Sequence, residues 1–443
     1  MDVINHSLYK KVSVLLVLLL SLTTINAQDK KLELEDLKKS ALEYSNHIKN
    51  GNLRAEKAEV ARQEAYSKYF PEVEATGLAL YGFNDLIPPI PQTLPNGIDN
   101  IYSIGATATQ AIYAGGKIRL ANQLAQVQLE SRKLGTEETM DSVVLATETK
   151  FWQLINIQEQ QKVVRASKTY LNNLLKQQED LLDAGLISKN QLLQVKVEKS
   201  GLLLRENELS NQRKIALLDL VLYAGISYDT TLVASKKSNI EIASPHLTYK
   251  NPELDIKNNT MYRLLEKQVE VAHLQVENEK ANLLPQIGVG LNASKFDSFN
   301  NDLGIDIQPI AFGTITIPIS AWWGGEKKQI RQSKIEVEIA ENKLKDGKDQ
   351  LTVGIMKSWY DLLNAYKQIQ YSKDKLLYAT ENLETQRDYY DSGLTNLTDL
   401  LDAQQSKEEA EASVVNAFAN YEQKEAVYLY RTHQLEIPTI KNN

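Results

Sequence analysis

Residues able to carry out chemistry are few and scattered in this sequence. It contains no cysteine, and the histidines after residue 27 stand far apart, at His47, His246, His273 and His433. The absence of cysteine excludes disulfides, thiolate metal sites and a cysteine-borne lipid anchor. The sequence also contains no phosphate-binding loop and no clustered metal-ligand spacing. We therefore expect no catalytic residue, no metal site and no cofactor, and we predict that the protein is not an enzyme.

The elements that the sequence predicts most clearly are a strand and one very long helix. Apolar residues alternate with Ser, Gly and Thr over 101–113, as in a strand with one apolar face. After a Gly-Gly pair, residues 117–183 contain no proline and predict a single helix about 100 Å long. Gly185 and Leu186 then have the pattern of a left-handed glycine cap followed by the apolar residue of a Schellman motif.

The same order of elements occurs twice. Four pairs of landmarks are offset by 214, 209, 207 and 208 residues, namely Pro71 and Pro285, Gly115 and Gly324, Trp152 and Trp359, and Gly185 and Gly393. The chain is therefore predicted to be an internal duplication of a strand, strand, long-helix, turn, helix unit. We assign a first repeat to 28–225, an irregular equatorial segment to 226–257 and a second repeat to 258–443.

The N-terminus has the pattern of a secretory signal peptide. Lys10 and Lys11 precede an apolar run over 12–22, and small residues at 23–27 offer a cleavage site after Ala27. A retained anchor is the alternative, but the run is shorter than the ~18–20 apolar residues of a spanning helix. No later stretch reaches that length, so a membrane-embedded mature chain would enter as strands. The net charge of −7 argues against a nucleic-acid partner.

Four strands are predicted, at about 73–83, 101–113, 286–294 and 314–320. In the last, Ile315, Ile317 and Ile319 alternate with Thr and Ser. Four strands cannot close on themselves, and an open sheet edge is not tolerated in lipid. Since the smallest membrane barrels need eight strands, several chains would have to share one barrel. A soluble sheet beneath a helical stalk is the alternative.

Aromatic residues occur at matching ends of two predicted strands. Tyr113 ends the second strand, and Trp322 and Trp323 follow the fourth. If the strands span a bilayer, these side chains would form an aromatic girdle at the membrane interface.

Further helices are predicted at 32–69, from a capping box at 188–191 to about Tyr223, at 258–283 and at 326–391. The last of these carries an apolar stripe with heptad-like spacing, made up of Ile355, Trp359, Leu362, Tyr366, Ile369 and Leu376. A soluble coiled coil would explain this stripe. It would not explain strands before each long helix or two long helices of nearly equal length, which suit the wall of a cylinder.

Several short motifs, in this order and duplicated, resemble the outer-membrane efflux protein family, the TolC-like channels. They are Phe70-Pro71-Glu72-Val73, Leu284-Pro285-Gln286-Ile287, the two Gly-Gly pairs, Ala184-Gly185-Leu186, Tyr390-Asp391-Ser392-Gly393 and Thr398-Asp399-Leu400-Leu401-Asp402-Ala403. The resemblance covers essentially the whole mature chain. It implies a mainly α fold with a β-barrel portion, in which long coiled helices form a periplasmic α-barrel tunnel.

The resemblance also implies a homotrimer in the outer membrane, in which each chain gives four strands to a shared twelve-stranded barrel. The function implied is the passive exit duct of a tripartite efflux pump or type I secretion system. A periplasmic adaptor, an inner-membrane transporter and outer-membrane lipid would be its partners. The alternative is a soluble or filamentous coiled-coil structural protein of the cell envelope.

In this family, carboxylates of the second helical turn ring the narrowest point of the periplasmic tip, and the matching positions are Asp399 and Asp402. Asp399 has a second interpretation. Asn396 and Asp399 follow Gly393 at the positions that Ser188 and Gln191 occupy after Gly185. Asp399 could therefore be the third residue of a capping box, and the two roles are compatible.

The resemblance assigns two further sets of residues. Tyr390 matches the tyrosine of the polar links that hold the tip shut, whereas Thr395 and Gln191 stand where an arginine and an aspartate are often found. These two departures leave open whether arginine links or other contacts hold the closed tip in this chain. The candidates for adaptor docking are Gly185, Leu186, Gly393 and Leu394. Glycine and leucine at a helix end are also ordinary caps, and this alternative stays open.

Overall fold

The structure is a computed structural model that describes residues 31–92, 96–236, 242–249, 252, 256–299 and 306–438. The expected signal peptide lies outside these residues. In chain order the elements are β1 (Lys31–Leu32), α1 (Leu34–Tyr44), α2 (Asn46–Ser67), β2 (Glu72–Tyr81), β3 (Asn100–Tyr113), α3 (Lys117–Asp183), α4 (Lys189–Tyr223), β4 (Val233–Ala234), α5 (Pro245–Thr248), α6 (Thr260–Ala281), β5 (Gln286–Asp297), β6 (Gln308–Thr316), a 3₁₀ helix (Ile319–Trp323), α7 (Gly325–Asp391) and α8 (Leu397–Arg431).

The helices α3 and α7 confirm the prediction of two very long helices. Each contains 67 residues. Left-handed glycines precede them, with φ of 65° at Gly115, 87° at Gly116 and 95° at Gly324. Only glycine adopts this conformation without a steric penalty, so the chain turns from sheet to helix at these positions. No helix among the described residues combines the length and apolar character needed to cross a membrane.

The single helix predicted over 32–69 is wrong. The structure has two helices, α1 and α2, separated at Ser45, whose φ and ψ of −53° and 117° are not helical. The Ser45 N–H still donates to the Ala41 carbonyl at 2.9 Å, which closes the last turn of α1. Because this stretch contains no proline, nothing in the sequence pattern marked the break.

Contacts along the chain define two compact units. The described residues of the sheet unit lie within 46–139 and 256–354, and those of the helical unit lie within 31–45, 140–252 and 355–438. The long helices α3 and α7 contribute to both. Each unit thus draws elements from both predicted repeats.

In the sheet unit, four antiparallel strands are ordered β2-β3-β5-β6. Across the sheet, one row of neighbours is Val73, Ala108, Leu291 and Ala311, and the next is Glu74, Thr107, Asn292 and Ile310. Since successive residues point to opposite faces, one face is mostly apolar and the other mostly polar. The predicted alternation in β5 is confirmed.

Two details of the sheet differ from the prediction. The register of β3 against β5 shifts between Ala111 and Tyr113, so Ile112 is an extra bulged residue and Tyr113 pairs with Ile287. Strand β6 ends at Thr316, and the predicted strand residue Ile319 lies in the 3₁₀ helix instead. Pro318 explains this end, because proline cannot donate a hydrogen bond to a neighbouring strand.

The helical unit is held together by apolar faces of α3, α4, α7 and α8. One cluster of buried residues comprises Ile157, Val164, Leu171, Leu174, Val195, Leu202, Leu209, Leu383, Leu397, Leu400, Leu401 and Ala403. A second cluster contains three residues of the predicted stripe, Trp359, Leu362 and Ile369, packed with Ala417, Tyr421 and Tyr428 of α8. The stripe therefore faces the core.

Candidate functional site at the two helical turns

The first helical turn, between α3 and α4, is a Schellman motif. Gly185 has φ of 72°. Its N–H donates to the Leu182 carbonyl at 2.9 Å, and the N–H of Leu186 donates to the Leu181 carbonyl at 2.9 Å. The Leu186 side chain is 72% exposed. Capping thus explains the glycine, whereas the leucine presents an apolar surface at the turn.

The second helical turn, between α7 and α8, repeats this geometry. Gly393 has φ of 71°. Its N–H donates to the Tyr390 carbonyl at 3.0 Å, and the N–H of Leu394 donates to the Tyr389 carbonyl at 2.8 Å. Leu394 is 75% exposed. The helical unit therefore has two turns of the same construction, each with an exposed leucine next to a left-handed glycine.

The residues that follow each turn cap the next helix. The backbone N–H of Ser188 donates to Gln191 Oε1 at 3.1 Å, as the predicted capping box requires. At the second turn, the N–H of Asp399 donates to Asn396 Oδ1 at 3.0 Å. Asp399 Oδ2 accepts from Asn396 Nδ2 at 2.9 Å and from Thr395 Oγ1 at 2.7 Å. Asp399 therefore stabilises the start of α8, and Thr395 supports this cap.

Asp402 is in a different situation. It lies one turn further along α8, its side chain is exposed, and it has no hydrogen-bond or ion-pair partner among the described residues. Leu400, Leu401 and Ala403 around it are buried in the first cluster. The helix α8 thus presents the Asp402 carboxylate to solvent.

Tyr390 joins α7 to α3 through a buried amide. Its hydroxyl donates to Gln178 Oε1 at 3.2 Å, and Gln178 is 0% exposed. The Nε2 atom of Gln178 is buried without a hydrogen-bond partner in the structure, as is Oε1 of Gln386. Sequence reasoning missed Gln178. A signal was available, because Gln178 follows Leu171 and Leu174 at helical spacing on the apolar face of α3.

Other polar contacts join the helices near the turns. Gln194 Nε2 donates to Thr398 Oγ1 at 3.5 Å, which links α4 to α8. Lys196 Nζ lies 3.6 Å from Glu179 Oε1, linking α4 to α3. Among the described residues, these amide, hydroxyl and ammonium contacts join α4 to α8 and to α3 beside the two turns.

A group of acids lies elsewhere in the helical unit, in which Glu148 is buried and Glu422 and Glu425 are partly buried. Burial raises the pKa of Glu422 to about 7, with further contributions from the charges of Glu425 and Glu148. Burial also raises the pKa of Glu148, although its ion pair with Lys38 acts in the opposite direction. The ion pair joins α1 to α3, and Glu422 on α8 lies within electrostatic range of Glu148.

In the sheet unit, the predicted girdle residues have different surroundings. Tyr113 is the last residue of β3, lies on the apolar face beside Ile287 and is 43% exposed. Trp323 is 84% exposed in the 3₁₀ helix beyond β6, so it is not at the strand end as predicted. The side chain of Trp322 lies outside the described residues.

The sequence matches the model of the outer membrane efflux protein family over residues 37–226 and 254–428. Similar solved structures include the CmeC outer membrane channel of Campylobacter jejuni, with a TM-score of 0.77, 15% identity, and coverage of 92% of this chain and 87% of that one. Another is VceC of Vibrio cholerae, with a TM-score of 0.76, 15% identity, and coverage of 90% and 95%. A third is the MtrE channel of Neisseria gonorrhoeae, with a TM-score of 0.74, 14% identity, and coverage of 95% of both chains.

No curated relative matches the chain. At 14–15% identity, the solved structures show only that the fold is shared. The family model matches most of the sequence and therefore shows the family. The family is one of efflux channels rather than of enzymes. This chain belongs to the outer membrane efflux protein family.

Proposed function

We propose that three copies of this chain form the passive exit duct of a tripartite efflux pump or type I secretion system in the outer membrane. The sheet would span the membrane as one third of a twelve-stranded barrel, and the helices would form a tunnel in the periplasm. A periplasmic adaptor and an inner-membrane transporter would deliver the substrate. The family match supports the efflux role and disfavours the alternative of a coiled-coil structural protein.

The observation that carries this proposal is the incomplete sheet. Its outer strands, β2 and β6, each pair on one side only among the described residues. One face carries exposed apolar side chains, including Val73, Leu291 and Ile315. An apolar face with two open edges fits a bilayer only after strands of further copies have paired with both edges. Because β2 and β6 run in opposite directions, β6 of one copy can pair antiparallel with β2 of the next while both copies keep the same orientation in the membrane.

Engineered cysteines test this assembly, because the natural chain contains no cysteine. Ala75→Cys on β2 would be combined with a cysteine scan of β6 at 309, 311, 313 and 315. We expect that oxidation of the protein in the outer membrane gives covalent dimers and trimers most strongly for the one β6 position that lies opposite residue 75 of the next copy. Neighbouring β6 positions should cross-link less. Monomers alone at every position would contradict the shared barrel. Ala419→Cys with the same β6 scan is the control, since Ala419 is buried in α8.

We propose that the second turn forms the periplasmic gate. Three copies would bring six carboxylates, from Asp399 and Asp402, close to one axis, where they attract cations and bind a divalent blocker. The capping contacts of Asp399 are compatible with this role because they leave Oδ1 available. The Tyr390–Gln178 hydrogen bond would keep α7 against α3 in the closed state.

We propose that Gly185, Leu186, Gly393 and Leu394 form the docking surface for the adaptor. The support is the pair of exposed leucines at turns of equal geometry. Leu186→Ser with Leu394→Ser would weaken co-purification with the adaptor while leaving the protein folded. Leu377→Ser, at an exposed leucine within α7, is the matched control and should retain the adaptor.

We further propose that Tyr113, Trp322 and Trp323 lie at the membrane interface. The exposed indole of Trp323 and the position of Tyr113 on the apolar face support this assignment. Interfacial rings should be quenched by brominated lipids at headgroup depth more strongly than Trp359, which is buried in the helical unit.

A further inference from the structure

A cleft with a volume of about 550 Å³ lies in the helical unit, beside the two-residue parallel pair of β1 and β4. Ligand pockets commonly have volumes of about 300–1,000 Å³. The charged residues that line the cleft are Lys31, Lys162, Arg165, Arg213, Lys236 and Glu159. Five cations against one carboxylate are unusual in a chain with a net charge of −7.

Most of the positive charge in the cleft is not neutralised by neighbouring carboxylates. Glu159 pairs with Lys162 at 2.8 Å, and the charge of Lys236 is partly offset by Glu422 on α8. Lys31, Arg165 and Arg213 have no carboxylate partner in the described part of the chain. Arg213 donates to the carbonyls of Thr230 at 3.1 Å and Leu232 at 2.6 Å, and these neutral acceptors fix the guanidinium without removing its charge. Clefts lined by charges of one sign concentrate the electric field and attract counter-ions.

Two cations at the cleft are available to a ligand. Lys31 and Arg165 are exposed, and in the described part of the chain neither side chain has an ion pair or a hydrogen bond. Arginine presents several donors in a planar arrangement that suits two oxygens of one phosphate or carboxylate group. With the fixed Arg213, these side chains approach the cleft from β1, α3 and α4.

The floor of the cleft favours a small ligand over an added peptide strand. Gln158 is 8% exposed, its Nε2 donates to the Ala234 carbonyl at 2.9 Å, and its Oε1 accepts from the Ala234 N–H at 3.1 Å. The side chain thus occupies both backbone groups of Ala234 that an incoming strand would need. On β1, the carbonyl of Leu32 is likewise occupied, by the N–H of Ser235 at 2.9 Å.

We propose that this cleft binds a small multivalent oxyanion, one that carries at least two negative charges on phosphate or carboxylate groups. The ligand would lie between Lys31, Arg165 and Arg213. This binding is separate from conduction through the duct, so it can be tested without any transport measurement.

The test is calorimetric titration of the full protein in a neutral detergent at low ionic strength, with pyrophosphate and citrate as probes. We expect saturable binding of one probe molecule per chain, and the tighter probe identifies phosphate or carboxylate as the preferred group. Lys31→Gln with Arg165→Gln should weaken binding by about tenfold or more. The control, Lys176→Gln with Lys367→Gln, removes two exposed lysines outside the cleft and should leave binding unchanged.

Circular dichroism verifies that each variant keeps its helices, and Arg165→Gln alone replaces the double variant if the latter unfolds. The proposal is overturned if the unaltered protein binds neither probe, or if the control variant loses as much affinity as the cleft variant. Tighter binding of an acidic hexapeptide than of either small anion would also overturn it, since that result would make the cleft a peptide site.

Discussion

The hydroxyl of Tyr390 in α7 donates a hydrogen bond to Oε1 of Gln178 in α3, and Gln178 is fully buried. In Tyr390→Phe, neither amide atom of Gln178 would have a partner, because Nε2 already lacks one. We expect a loss of about 1–3 kcal/mol in the free energy of unfolding, measured by chemical denaturation. In bilayer recordings, the same variant should open more often if this bond holds the gate shut.

Two variants test whether the effect comes from this hydrogen bond rather than from loss of a tyrosine hydroxyl in general. Tyr389→Phe changes a neighbouring tyrosine that is 47% exposed, and it should alter neither stability nor opening. Combining Tyr390→Phe with Gln178→Leu should recover much of the lost stability, because replacing both partners by apolar groups leaves no unpaired amide. Equal stability losses in Tyr389→Phe and Tyr390→Phe would refute the assignment.

Asp399 and Asp402 should respond differently to loss of charge. Asp402→Asn should reduce cation selectivity and divalent block in bilayer recordings without a change in stability, because the carboxylate has no described partner. Asp399→Asn should also reduce cation selectivity and divalent block. In addition, it should lower the free energy of unfolding by about 0.5–1 kcal/mol, because the cap of α8 is weakened. Asp374→Asn, at an exposed site earlier in α7, is the matched control. Unchanged selectivity in the double variant of Asp399 and Asp402 would rule out the carboxylate gate.

The two left-handed glycines should each be costly to replace. A Cβ at Gly185 or Gly393 meets no atom within 4 Å, so any effect of alanine comes from the backbone. Because φ is 72° at Gly185 and 71° at Gly393, we expect each alanine variant to lose about 1–2 kcal/mol in the free energy of unfolding. Gly201→Ala is the control, because Gly201 also has open space for a Cβ but lies within α4 at an ordinary φ. Its free energy of unfolding should rise by up to about 1 kcal/mol. Thermal denaturation of all three variants and the natural protein measures these differences.

The raised pKa of Glu422 predicts a pH dependence of stability. With a folded pKa of about 7, the folded protein binds a proton that the unfolded chain, with an ordinary glutamate pKa, does not hold. Stability from this group is therefore greatest at low pH and is lost as pH rises through 7. When the pH is lowered from 7 to 5, the free energy of unfolding of the natural protein should rise by about 1–2 kcal/mol relative to that of Glu422→Gln, as measured by chemical denaturation at each pH.

The charges that act on Glu422 are Glu425 on its own helix, Glu148 on α3 and Lys236 after β4. Glu384→Gln, at an exposed glutamate in α7, is the control for the pH series and should show no such difference from the natural protein. A constant difference between Glu422→Gln and the natural protein across this pH range would contradict the raised pKa.

Much of the fold could be predicted because local signals mark its element ends. The Gly-Gly pairs, the proline-free stretches and the Schellman patterns gave the bounds of α3 and α7 to within a residue. The break at Ser45 and the bulge at Ile112 could not be predicted, because each depends on how neighbouring elements pack and pair. Pro318 was a signal for the end of β6, but the isoleucine alternation around it outweighed this signal.

The candidate site likewise contains features that the sequence predicts and features that it does not. The caps at Ser188 and Asn396 follow from residue spacing after each glycine, so the sequence predicts them. The Tyr390–Gln178 bond and the cationic cleft could not be predicted, because each joins side chains more than 100 residues apart in the chain. Only the folded helices bring these residues together.

The most direct test of the shared duct is negative-stain imaging of the detergent-extracted protein. The account predicts a particle with three-fold symmetry and a tapering helical stalk about 100 Å long, as 67-residue helices require. Thin rods that stay in solution without detergent would contradict it. That result would mean that the sheet does not form a membrane barrel between copies of the chain.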